Sequence, residues 1–166
     1  MTFPIDPSGL TPAWLTTVVR DAGVLPPSAA VAHCAIEPIA EQGATSLTVR
    51  IRLDYTAPTD APASVIAKLP GPAAMREVGR DSGIYRLETW FYSRIAAANP
   101  TWPVPRCYFA NYDRTTGAFI LLLEDFDAWP PGDLFTTNVD HIRRMLAAAA
   151  AVHAAAWGRP IAHERW

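Results

Sequence analysis

Ser64-Val65-Ile66-Ala67-Lys68-Leu69-Pro70 is the stretch on which the fold turns. Its apolar run reads as a short buried strand, and Lys68 stands where a strand interior normally holds no charge. Lys68 is also the only lysine among 14 basic residues; the others are all arginine. A single retained lysine suggests a site that needs a compact ammonium on a flexible stem rather than a planar fork. The alternative is an edge-strand lysine whose head snorkels to water.

Upstream, Ala30 to Glu41 and Ser46 to Tyr55 read as two strands joined by Gln42-Gly43-Ala44-Thr45. In the second, Leu47, Val49, Ile51 and Leu53 alternate with Thr48, Arg50, Arg52 and Asp54, the period of a half-buried strand. The loop Thr56 to Ala63 then leads to the Lys68 strand, which makes three successive antiparallel strands. Gly43 with Thr45 and Ser46 can present backbone N–H groups and hydroxyls to a phosphate, or can form an ordinary hairpin turn. Before these strands, Thr11 caps a helix that Pro12 opens and Gly23 ends, with Leu10, Trp14, Leu15 and Val18 as its apolar face. Trp14 is read there as a packing residue.

Downstream of Pro70-Gly71-Pro72 a helical region is expected, broken near Gly79 or Gly83 and clear from Ile84 to Ala97. Ile84, Leu87, Phe91 and Ile95 have the spacing of a buried stripe, and Glu88 borders it. A carboxylate there needs a partner: Lys68, Arg94 or another arginine, or else exposure to water. Two strands follow, Arg106 to Tyr112 and Ala118 to Leu123, around a turn at Asp113 to Gly117. The second is apolar on both faces and ends in Glu124-Asp125-Phe126-Asp127, a connector. A last helix runs from the cap Asn138 to about Trp157, stopped by Gly158. His153 on that helix reads as a core histidine or, less simply, as a catalyst.

Composition narrows the function. Half of the 166 residues are apolar, 18% are charged, and the net charge is −2, so no basic excess points to nucleic acid or an acidic membrane. Cys34 and Cys107 give neither metal-ligand spacing nor a disulfide framework. No signal peptide or membrane span is read, and a soluble cytoplasmic protein is expected.

Several phrases, in this order, carry a resemblance. They are Leu10-Thr11-Pro12-Ala13-Trp14-Leu15, Ser46-Leu47-Thr48-Val49-Arg50, the Lys68 strand, Glu88-Thr89-Trp90-Phe91-Tyr92 and Val104-Pro105-Arg106-Cys107-Tyr108. Leu121-Leu122-Leu123-Glu124-Asp125-Phe126 and Ala151-Val152-His153-Ala154 complete the series. Together they resemble the N-terminal portion of the aminoglycoside phosphotransferase and ecdysteroid (choline-kinase-like) kinase superfamily, which has the protein-kinase-like fold. The resemblance implies an α+β small lobe with about five antiparallel strands and a packed helix. Residues 1–27 would form an N-terminal helical segment, 28–123 the small lobe, 124–137 the hinge, and 138–166 the start of a truncated large lobe.

It also implies transfer of the γ-phosphate of ATP or GTP to a hydroxyl of a small molecule, with Mg2+ in the full-length protein. By the resemblance, Lys68 would contact the α and β phosphates and Glu88 would hold Lys68. Gly43, Thr45 and Ser46 would cover the phosphates, and the backbone of Glu124, Asp125 and Phe126 would meet the adenine edge. The chain departs from the family pattern in one respect: no His-x-Asp-x-x-x-x-Asn spacing occurs, so the catalytic and metal-binding residues are missing and little activity is expected from the chain alone. Apolar surfaces of the last helix and of Phe119 to Leu123 should then favour self-association. Two other expectations stand beside this one: a non-catalytic binding or regulatory module on the same scaffold, or a large lobe supplied by a separate chain.

Overall fold

The computed structural model describes residues 2–39, 44–126 and 137–158. Strands Val31–Pro38 (β1), Ser46–Tyr55 (β2), Ser64–Pro70 (β3), Cys107–Tyr112 (β4) and Phe119–Glu124 (β5) form one sheet in the order β1-β2-β3-β5-β4. Every pairing is antiparallel. With helices Pro12–Asp21 (α1), Ala73–Asp81 (α2), Ile84–Trp90 (α3) and Val139–Ala156 (α4), the architecture is α+β. A π-helical segment, Phe91–Ala96, extends α3. None of the described helices is long and apolar enough to cross a membrane.

Alternation along the strands divides the core into two clusters. Val49, Ile51 and Leu53 of β2 share one face with Val65, Ala67 and Leu69 of β3 and with Ile120 and Leu122 of β5. α1 covers that face with Leu15, Val18 and Val19, each worth about 1.5–3 kcal/mol when fully buried. Thr11 caps α1 by accepting the Trp14 N–H, and Trp14 packs edge-on against Phe109 at 5.5 Å. The opposite face holds the second cluster, where Tyr85 of α3 packs on Phe119, Leu121 and Leu123.

The face that α3 buries is not the one its spacing suggests. Tyr85, Thr89 and Ala96 are buried, whereas Ile84 and Leu87 of the expected stripe are 46% and 48% exposed. The cause is an aromatic anchor. Tyr85 stacks on Phe119 with centroids 4.1 Å apart, and it lies so close to α2 that a Cβ on Gly79 would meet its ring at 2.3 Å. The break between the two helices falls at Gly83, whose φ of 72° favours glycine.

The Phe119 to Leu123 strand also differs from expectation. It offers no outward apolar surface, because β5 lies between β3 and β4 and both of its faces are covered. α4 does: its cap Asn138 accepts the N–H groups of Asp140 and His141, and Val139, Ile142, Met145 and Leu146 face outward. β1 ends at Pro38, short of Glu41. Glu41, Gly43, residues 127–136 of the expected connector and residues 159–166 lie outside the described residues.

Candidate functional site

Lys68 lies on β3, the middle strand of the five, opposite Thr48 of β2 and Leu121 of β5. A middle strand has no open edge, so the edge-strand reading of this lysine does not apply. Its Nζ donates to Glu88 Oε1, and the two side chains are 24% and 28% exposed. α3 supplies Glu88 from above the face that Lys68 occupies; Arg94, the other candidate partner, is exposed. A charge-assisted hydrogen bond of this kind aims an ammonium that has further donor capacity. Tyr92, one turn beyond Glu88, borders the pair: burial first, and then the Glu88 carboxylate, push its phenol up to about 12.

The other expected residues lie at the two ends of the strands that flank Lys68. Ser46 opens β2 opposite Pro70 and is buried. Just before it, the Thr45 carbonyl accepts the Gly71 N–H at 3.0 Å and the Tyr85 hydroxyl. A Cβ on Gly71 would lie 2.5 Å from that oxygen, so only glycine fits this approach. Ser46 precedes the residue facing Lys68 by two positions, about 7 Å along the strand.

At the opposite end, Glu124 pairs with Val65. Its N–H donates to the Arg106 carbonyl at 2.8 Å, and its carboxylate accepts the Arg106 N–H at 3.0 Å. Glu124 thus stands three register positions from Lys68, about 10 Å along the sheet. Asp125 follows with its side chain only 3% exposed. Its Oδ2 accepts Arg50 Nε at 2.7 Å and Ser64 Oγ at 2.6 Å, and its Oδ1 accepts Arg50 Nη2 at 3.1 Å. The side chain of Asp125 is therefore committed to the sheet, and its backbone and Phe126 form the exit from β5.

From the Lys68 and Glu88 pair, an open groove of about 730 Å³ runs past Leu87 and Phe91 to Val152 and His153 of α4. His153 is exposed along this groove, not a core residue. Among the described residues, no three His, Cys, Asp or Glu side chains gather as a metal-binding set.

The structure thus brings Lys68 and Glu88 together, sets Thr45 and Ser46 toward one end of the strands around them, and sets Glu124, Asp125 and Phe126 toward the other; Gly43 lies outside the described residues. Sequence reasoning missed Tyr85, Arg50 and Ser64. Arg50 had a signal, since it points to the same face as Lys68 by strand alternation, but nothing local names its partner. No protein-family model matches the sequence, and no curated protein matches it.

Proposed function

We propose that the chain is the nucleotide-binding small lobe and connector of a kinase-like phosphotransferase that moves the γ-phosphate of ATP or GTP to a hydroxyl of a small molecule. The observation that carries this reading is the Lys68 and Glu88 pair on the middle strand of a five-stranded antiparallel sheet. In this reading residues 1–27 are an N-terminal helical segment, 28–123 the lobe, 124–137 the hinge, and 138–166 the first part of a second lobe. The catalytic aspartate and the metal ligands belong, in this reading, to a second lobe, and the described residues serve to bind the nucleotide.

The geometry supports each role. The Lys68 ammonium, held by Glu88, offsets charge on the α and β phosphates. Thr45 and Ser46, about 7 Å along the strands from Lys68, favour a cover over the phosphates, and the exit of β5 at Glu124 to Phe126, about 10 Å the other way, favours a backbone contact with the adenine edge. The separation between these ends suits a nucleoside lying across β3. Magnesium, bound through the second lobe, would neutralise the transferred phosphoryl group. The outward apolar residues of α3 and α4 are the surface such a lobe would cover.

Titration calorimetry with Mg·ATP and with adenosine tests the reading. Lys68→Ala should weaken ATP at least about tenfold, the worth of a hydrogen bond to a charged group, and leave adenosine unchanged. Unchanged ATP affinity in Lys68→Ala would leave a binding module without phosphate chemistry. Absence of nucleotide binding in the unaltered chain would end the proposal.

A further inference from the structure

One buried hydroxyl links two parts of the site that the sequence keeps 40 residues apart: Tyr85 Oη donates to the Thr45 carbonyl. We infer that Tyr85 is a positioning residue that sets the Thr45 turn and the Lys68 and Glu88 pair together. In assigning phosphate contacts to those two parts, this inference rests on the function proposed above; the mechanical link itself does not.

The ring has little freedom. Tyr85 is 1% exposed, held between Phe119, stacked at 4.1 Å, and the bare backbone of Gly79, where any Cβ would come within 2.3 Å of the ring. Packing alone would be served as well by phenylalanine. The hydroxyl must instead be desolvated, which costs free energy unless it is hydrogen-bonded. Its acceptor belongs to the turn and not to the local helix.

The Thr45 oxygen takes a second donor, the Gly71 N–H, so both of its lone pairs are engaged. On the helix side, Glu88 stands three residues after Tyr85 and so occupies the adjoining helical position. Thr89 Oγ1 donates back to the Tyr85 carbonyl at 2.7 Å, which stiffens that turn of α3. A displacement of the Thr45 carbonyl therefore moves the phenol, the phenol moves the first turn of α3, and Glu88 moves with it relative to Lys68. A ligand that settles the turn would in the same way secure the ion pair.

Because Lys68 is the only lysine, its reactivity can be read without interference. The full chain is treated with trinitrobenzenesulfonate, and the modified peptides are resolved by mass spectrometry to separate Lys68 from the terminal amine. Glu88→Gln reports the rate for a broken pair. Tyr85→Phe should raise the Lys68 rate about fivefold, the effect of one net hydrogen bond, although it alters neither member of the pair. Thr16→Val is the control for general loosening: Thr16 Oγ1 accepts the Val31 N–H on the opposite face of the sheet, and its removal should leave the Lys68 rate as it was.

Gly71→Ala approaches the same carbonyl from the other side, at 2.5 Å, and should also raise the rate; it decides the matter if Tyr85→Phe does not fold. An unchanged Lys68 rate in Tyr85→Phe, or an equal rise in Thr16→Val, would overturn the inference. Repeating the reaction with Mg·ATP separates the two claims. Protection of Lys68 by ATP in the unaltered chain, weakened in Tyr85→Phe, supports both. No protection, with the Tyr85→Phe rise still present, removes the nucleotide reading and keeps the link.

Discussion

Replacing Asp125 by alanine removes the acceptor of three side-chain hydrogen bonds, two from Arg50 at 2.7 and 3.1 Å and one from Ser64 at 2.6 Å. The Asp125 side chain is 3% exposed, while that of Arg50 is 24% exposed. Breaking a buried pair by removing one partner costs about 3–5 kcal/mol, because the remaining charge is left uncompensated. Partial access of water to Arg50 lowers the cost, and loss of the Ser64 bond adds about 1 kcal/mol. We expect about 3 kcal/mol in urea unfolding, and a melting temperature lower by about 6–12 °C at this chain length. Asp125→Asn, which keeps an acceptor, should lose about half as much. Pairing Asp125→Leu with Arg50→Met should recover most of the loss, since no buried charge then remains. A loss below about 1 kcal/mol for Asp125→Ala, the level of an exposed pair, would refute the claim that this fork holds the end of β5 against β2 and β3.

Three further outcomes are expected. Gly79→Ala should destabilise by about 1–3 kcal/mol through its clash with the Tyr85 ring, although alanine in an open helix position would gain up to about 1 kcal/mol; a more stable variant in thermal melts would contradict the packing. Burial pushes the Cys107 thiol from 9.0 up to about 11. The unfolded chain then loses that proton first, so stability is full below about pH 9 and falls as pH rises through 11, by about 2–3 kcal/mol. Cys107→Ala should flatten that slope in denaturant titrations between pH 8 and 11, and an unchanged slope would count against the assignment. Light scattering should show mass rising with concentration through the exposed Ile142, Met145 and Leu146 of α4, and Leu146→Glu should reduce it; a clean monomer at high concentration argues the other way.

The strand and helix order was legible in the sequence because each element announces itself locally. The alternation from Ser46 to Tyr55 marks β2 at its observed ends, and Asn138 and Gly158 bracket α4. The Lys68 and Glu88 pair was legible for a related reason: a charge inside an apolar strand and a carboxylate beside an apolar stripe each require a partner. The phase of α3 was not. That helix has apolar residues on two sides, Ile84 and Leu87 on one and Tyr85 on the other, so periodicity alone cannot choose between them.

Choosing required contacts distant in sequence: the stack of Tyr85 on Phe119 and the reach of its hydroxyl to Thr45, 40 residues away. The fork from Arg50 to Asp125 spans 75 residues, and Ser64 joins it across 61. Sequence by itself determined which segments become strands and helices and where unpaired charges would need partners, since both follow from near neighbours along the chain. Only the tertiary structure decided which face of α3 is buried, which carboxylate holds the end of β5, and which hydroxyl ties the Thr45 turn to the ion pair. Those depend on strand register and on two glycines, Gly71 and Gly79, whose missing side chains let distant groups meet.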